Sequence, residues 1–319
     1  MIPLPKSFKR RVRSLVNLPV YGPVGLHDPQ QLAEVWLEGL GEPRNITGNN
    51  VVVALRPFTI GVMLDHPASD IPHLRLSMRE RSPSSRLLGV LHLRPAGGIP
   101  FSGRCFCFFE TPRCENYCVS PLRLRAYYLR ERWRAELRQR RNRYNFLMTY
   151  PDIRCSHVFY ICPRPVVLVT VEHQGASNMF PMDLIGPVDS PCFSMTLRLT
   201  SPAVKLMQQS RRMALASVPF PYKAHAYELG KHHKLTTVDW AGLPFPTRPS
   251  PLFGLPVAEA ALRVREVCVE ECHEVGSHML FLTAIARDTL PDRKPEGTDG
   301  LQLFHTFSSY RQLLSMEEA

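Results

Sequence analysis

The residues with the clearest chemical potential lie where a strand-like run gives way to a helical one. CFSMTLRL (192–199) leads into Thr200-Ser201-Pro202, and a helical pattern follows with Val204, Leu206 and Met207 on its apolar side. Ser201 reads as the N-cap and Pro202 as the first helical residue. Such a start gathers free backbone N–H groups, two hydroxyls and the positive end of a helix dipole, a combination that suits a phosphate. Arg198 stands just before it and adds a charge-assisted contact. Taken alone, the same residues also read as an ordinary N-cap beside a surface arginine. Farther on, YELGKHHKLTTVDW (227–240) concentrates Lys231, His232, His233 and Lys234. Adjacent histidines point different ways on any regular element, which argues against a two-His metal site. Cys105, Cys107, Cys114 and Cys118 also cluster, but the first pair is separated by one residue inside the alternating run FSGRCFCFFE, which is not a zinc spacing. No catalytic triad and no Rossmann-type glycine motif is evident.

The elements that must position these residues are mostly strands. PRPVVLVTVEHQGASN opens with a buried strand and turns at Gly175, and CFSMTLRL is a second strand. ALRVREVCVEECHE (261–274) and HMLFLTAIARD (278–288) read as a hairpin joined near Val275-Gly276-Ser277. Strands with one intervening helix predict a closed or nearly closed antiparallel barrel for residues 151–319. Residues 1–150 read as a separate, smaller β-rich domain, with 151–163 assignable to either side. Its strand-like runs cover 51–64, 73–80, 87–94 and 103–110. A helix is expected at each end. The first is 28–41, with Asp28 as N-cap, Pro29 next and Gly41 near the stop. The second is 122–143, with Tyr128, Leu129, Trp133 and Leu137 as its buried stripe.

Composition narrows the class. The chain has 319 residues, 44% of them apolar, and no run approaches the ~18 apolar residues of a membrane helix. The basic start lacks a signal-peptide core, a mitochondrial-type presequence stays open, and the reading is cytoplasmic with nine reduced cysteines. The net charge of +11 is local: residues 122–143 hold nine arginines against Glu131 and Glu136, a balance of +7. A structural or partner-docking helix is the preferred reading of that segment over a nucleic-acid contact.

From about Cys162 to Tyr310 the chain resembles the flavin reductase-like FMN-binding split-barrel family. The PVVLVT strand, Gly175 and Asn178 match the family's opening strand, turn and Asn-rich approach to the flavin. Pro187-Val188 and Thr196-Leu197-Arg198 match the next strand, and Ser201 matches the Ser that opens the helix. Ser217-Val218-Pro219 follows at the helix's far side, Gly276-Ser277-His278 matches a Gly-Asp-His hairpin turn, and LQLFHTFSSY closes at Tyr310. The fold class implied is mainly β, a split barrel preceded by a β-rich domain.

The resemblance implies FMN as cofactor, with FAD as the larger alternative, and NAD(P)H as substrate. Asn178, Arg198, Thr200 and Ser201 would hold the flavin, with an open cleft between Asn178 and the helix start. Pro181, Met182, Asp183 and Leu184 occupy the family's Thr-Ala-Ser-Trp stretch beside the ring, with Met182, Asp183 and Leu184 as candidate flavin contacts, and Ala203 replaces a phosphate-binding Thr. Two like charges about 4 Å apart repel by roughly 4 kcal/mol at an effective dielectric near 20, so Asp183 needs a cation between it and a phosphate. Facing the ring's N3–H would suit it, whereas facing N1 would lower the flavin potential. Lys231 and His233 fall in a loop over the flavin, and His278 borders the flavin and nicotinamide pocket as the candidate catalytic residue. The function implied is NAD(P)H-to-flavin electron transfer in a homodimer. The alternatives are a non-reductase flavin protein working with a protein electron-transfer partner, and a barrel that has exchanged flavin for another ligand.

Overall fold

The computed structural model describes residues 20–28, 33–68, 73–141, 148–188, 191–291 and 299–308. Eight strands come first: β1 (Val20–Leu26), β2 (Ala33–Glu38), β3 (Arg44–Asn45), β4 (Val51–Leu55), β5 (Phe58–Leu64), β6 (Arg75–Glu80), β7 (Leu87–Phe101) and β8 (Arg104–Asn116). Helices α1 (Pro121–Arg141) and α2 (Tyr150–Phe159) follow. The barrel strands are β9 (Arg164–Pro165), β10 (Val167–His173), β11 (Ala176–Met182), β12 (Ile185–Pro187) and β13 (Cys192–Arg198), then α3 (Pro202–Ser210) and β14 (Arg212–Ser217). After α4 (Lys223–Glu228) and a 3-10 stretch at Leu229–Lys234 come β15 (Thr247–Pro249), β16 (Pro256–Ala258), β17 (Val264–Val275), β18 (His278–Thr289) and β19 (Gln302–Ser308). Among the described residues, no helix is long and apolar enough to cross a membrane.

The expected helix over 28–41 is instead strand β2, with residues 29–32 outside the described part. Ala33, Val35 and Leu37 enter the core while Glu34 and Trp36 are half-buried, a period of two that fits a strand and not a helix. β2 sits between β3 and β6 in an antiparallel sheet of order β3-β2-β6-β7-β8-β5-β4. Gly39 and Gly41, both at positive φ, turn the chain where a helix stop was expected. The second expected helix is present as α1, but its buried face differs. Tyr127 and Tyr128 are 3% exposed, whereas Leu129 and Trp133 are 68% and 63% exposed. Leu137 carries no described side chain. Helix α2 was not foreseen; Thr149 and Asp152 form a capping box at its start, with Pro151 in its first turn.

The second large sheet runs β11-β10-β14-β17-β18-β13-β12. All seven strands and α3 contribute to one core, including Val169, Phe180, Ile185, Met195, Met207, Leu215, Val267 and Phe281. The two outer strands, β11 and β12, are linked by Asp183-Leu184, so the sheet curls around this core as a split barrel. A third sheet, β1-β19-β9, joins the first described strand to the last.

The two large sheets share a core. Val51, Val53, Met63 and Phe106 of the first meet Val188, Cys192, Leu280 and Leu282 of the second. Full burial of each such side chain is worth about 1.5–3 kcal/mol. One hydrogen bond joins the two large sheets directly, Thr196 Oγ1 donating to Val52 O at 3.0 Å, while Phe58 N donates to Asp152 Oδ1 of α2 at 2.9 Å and Arg164 Nη1 of β9 to Asn50 O at 2.9 Å.

Candidate functional site

The turn between β13 and α3 is built as the sequence implies. Ser201 N donates to Arg198 O at 2.9 Å, Ser201 is the extended N-cap, and Pro202 starts the helix. The Ser201 hydroxyl, however, makes no cap bond to the helix amides. It donates to His233 O at 2.9 Å instead. Arg198, Leu199 and Thr200 remain exposed beside the helix start.

The expected cleft between Asn178 and this helix start is filled by the chain itself. Asn178 is fully buried, and its Nδ2 donates to His232 O (3.1 Å) and Leu235 O (2.8 Å). His232 Nδ1 bonds Met179 O at 2.8 Å, and His233 Nε2 bonds Pro181 O at 2.9 Å. The His233 ring also lies 4.8 Å from that of Phe180. Segment 229–235 is thus fastened both to β11 and to the start of α3, and Asn178 is a fastening residue on the far side of it. Met182 packs in the barrel core, and Leu184 packs against the core of the first sheet. Lys231 is exposed and paired with Glu228 at 3.4 Å. His278 is fully buried: Leu55 N donates to its Nδ1 at 3.4 Å, and Ser277 Oγ lies 2.9 Å from the same atom. Strand β4 therefore closes His278 off from a ligand in this arrangement. Tyr310 lies outside the described residues.

The fold does gather Arg198, Thr200, Ser201, His233 and Asp183. Although Arg198 is exposed as a residue, partial desolvation of its guanidinium pushes the pKa down, and the Asp183 charge opposes that shift. His233 is lowered by burial and by Arg198, against the pull of the Pro181 carbonyl and Asp183. His278 is pushed down to about 4, first by burial and then by the Arg198 charge. Arg198 is therefore the electrostatic hub of this corner, acting on Asp183 between β11 and β12, on His278 of β18 and on His233 of the 229–234 turn.

Three residues that sequence reasoning missed complete the corner. Asp183 Oδ2 accepts from Tyr160 Oη at 3.1 Å and from His305 Nδ1 at 2.7 Å. His305 Nε2 lies 2.5 Å from Tyr227 Oη, and the Tyr227 and His305 rings are parallel within 7° at 5.5 Å. A His interrupting the apolar alternation of LQLFHTF was the available signal; Tyr160 and Tyr227 gave none.

No curated protein matches the chain. Residues 159–314 match the family model described as a flavin reductase like domain. Among solved structures, similarity is found to the FMN-binding protein from Thermus thermophilus with bound p-hydroxybenzaldehyde, at 22% identity over 46% of this chain and 84% of that one, with a TM-score of 0.39. The NADH:FAD oxidoreductase from Streptomyces globisporus C-1027 is 17% identical over 50% of this chain and 92% of its own, with a TM-score of 0.42. The styrene monooxygenase flavin reductase from Pseudomonas putida S12 is 17% identical over 44% and 87%, with a TM-score of 0.37. The C-terminal half of this chain, residues 159–314, is a flavin reductase-like domain.

Proposed function

We propose that the C-terminal domain binds FMN, with its phosphate at Arg198, Thr200 and the first amides of α3, and works as an NAD(P)H-dependent flavin reductase-like oxidoreductase. One observation carries the assignment. Ser201's hydroxyl is turned to His233 O, so the α3 amides have no side-chain cap while Arg198 and Thr200 stand exposed beside them. An uncapped helix start with an adjacent guanidinium suits a phosphate dianion. The flavin would supply the hydride and electron chemistry, and the protein its binding and electrostatics. Asp183 would repel a phosphate, and Arg198 is the cation that compensates for it. Asn178, Met182, Leu184 and His278 are assigned to holding the fold around the site, and Lys231 with His233 to its rim.

The visible spectrum of the purified protein, with the released cofactor identified, tests this reading. FMN in the supernatant of the denatured protein is expected, together with oxidation of NADH or NADPH when free flavin is added. A colourless protein that takes up no FMN contradicts it.

The outward face of α1 supports a second reading, a flavin-binding electron carrier that works with a partner protein. Leu122, Leu129 and Trp133 are 77%, 68% and 63% exposed. At 100° per residue they share one stripe opposite Tyr127 and Tyr128. Exposed Arg123, Arg125 and Arg132 flank it. Such a stripe suits an acidic protein surface with an apolar centre. Flavin binding without nicotinamide oxidation selects this reading.

A further inference from the structure

The two large sheets carry one topology. In chain order, the seven strands of the first are β2 to β8, and those of the second are β10, β11, β12, β13, β14, β17 and β18. With each set numbered one to seven, both sheets run 2-1-5-6-7-4-3 from edge to edge. Every neighbouring pair in both is antiparallel. In each, the sixth and seventh strands form the longest hairpin and carry register shifts. A glycine at positive φ turns that hairpin in both, Gly103 at +75° and Gly276 at +53°. Helix α4 and the β15–β16 pair are inserted between the fifth and sixth strands of the second sheet.

The sheets also meet as two copies of one subunit would. In a twofold interface the same patch serves both partners, and each contact is returned. The shared core takes Val53, Met63 and Phe106 from the first sheet's third, fourth and seventh strands. From the second it takes Cys192 and Leu280 of the fourth and seventh, with Val188 just after the third. Third strand faces third strand: a Cβ on Gly186 of β12 would lie 2.9 Å from Val51 Cγ1 of β4. The hairpin turns reciprocate. Ser102 Oγ lies 3.7 Å from Cys192 Sγ, at the start of the second sheet's fourth strand. Gly276 in turn packs on Arg56 O, just before the first sheet's fourth strand.

The corners after the two fourth strands differ in charge. β13 ends at Arg198, opposite His278, and the chain then reaches Pro202-Ala203. β5 is followed by Asp65 and then by Pro67-Ala68. Asp65 pairs with Arg104 at 3.1 Å and with Arg44 at 3.7 Å. A carboxylate thus stands in the first corner where the second presents a guanidinium, and it repels a phosphate.

We propose that the N-terminal sheet is a second split barrel, a repeat of the C-terminal one, that occupies the place of a second subunit within one chain and lacks a phosphate site of its own. The chain is then a built-in dimer that binds one flavin. The face by which a second copy would dock on the C-terminal barrel is covered by the chain's own β4, β5 and β8. The single-site clause rests on the flavin reading above. The repeat itself rests on topology and packing alone.

Sedimentation equilibrium of the wild-type full chain reads the first part without the cofactor. A monomer is expected at micromolar concentrations, and a stable dimer overturns the built-in partner. Val51→Cys combined with Gly186→Cys reads the junction itself. Oxidation is expected to join the two positions within one chain, as shown by peptide mass spectrometry and monomer mobility on a non-reducing gel. A bond formed only between chains, or none, overturns the packing of repeat on repeat. Titration with FMN reads the second part. Saturation is expected at one FMN per chain, with Arg198→Ala weakening all of the binding at least tenfold. Two FMN per chain, one per two chains, or a tight site surviving in Arg198→Ala overturns the single-site clause. A wild type that binds no FMN removes the flavin reading and that clause together, while the first two measurements still decide the repeat.

Discussion

His157 and His278 both lose solvent on folding, and burial pushes them down to about 3 and about 4. His157 is stacked between Tyr128 and Phe307, at 5.6 and 4.9 Å, and His278 is enclosed by β4. Their unfolded values lie near 6.5, so the unfolded chain binds more protons between pH ~6.5 and ~4. Stability therefore rises with pH across this window and is lost as pH falls through it, by about 3 kcal/mol for His278. Urea midpoints measured from pH 7 to 4.5 should drop, and His278→Asn should reduce that slope by about one proton. A slope unchanged in His278→Asn contradicts a neutral buried His278. At this scale the turn from Arg198 to Ser201 and the helix start at Pro202 were legible, because turn geometry is local, although the Ser201 hydroxyl makes no cap bond. The roles of Asn178 and His278 were not. A polar residue looks the same whether it meets a ligand or a distant backbone group, and Leu55 reaches His278 from 223 residues away.

Strands were readable where apolar residues alternate. In β2 the same signal was overridden by cap-like residues at each end: AEVWLE alternates, yet Asp28, Pro29 and Gly41 suggested a helix. In α1 apolarity could not tell an inward face from an outward one. Tyr128→Ala should cost about 3–5 kcal/mol, as expected for a large buried aromatic side chain. Leu129→Ser and Trp133→Ser should each change stability by less than about 0.5 kcal/mol. Thermal melts decide it, and equal losses in the three variants would restore the stripe expected from sequence. The β17–β18 turn gives a second element-level test. Gly276 has φ +53°, and a Cβ there would lie 2.7 Å from Arg56 O. Gly276→Ala should therefore destabilise by about 1–3 kcal/mol; an unchanged melting temperature would exclude close packing of this turn on the first sheet.

On the scale of the whole molecule, the two sheets are interdependent. β1 pairs with β19, and the cluster around Phe106, Leu280 and Leu282 belongs to both sheets. A fragment beginning at residue 151 loses β1 and bares Val188, Cys192, Leu280 and Leu282. It should aggregate in size-exclusion chromatography; a monodisperse fragment that binds FMN would show the barrel to be self-sufficient. This dependence was hidden in the sequence, where texture changes near residue 163 but long-range strand pairing leaves no local mark. The central claim remains phosphate recognition at the start of α3. Comparing the affinities of the full chain for FMN and riboflavin, in wild type and in Arg198→Ala, isolates it. FMN should bind at least tenfold more tightly than riboflavin to the wild type, with that preference collapsing in Arg198→Ala. Equal wild-type affinities, or a preference untouched by the substitution, would contradict the account.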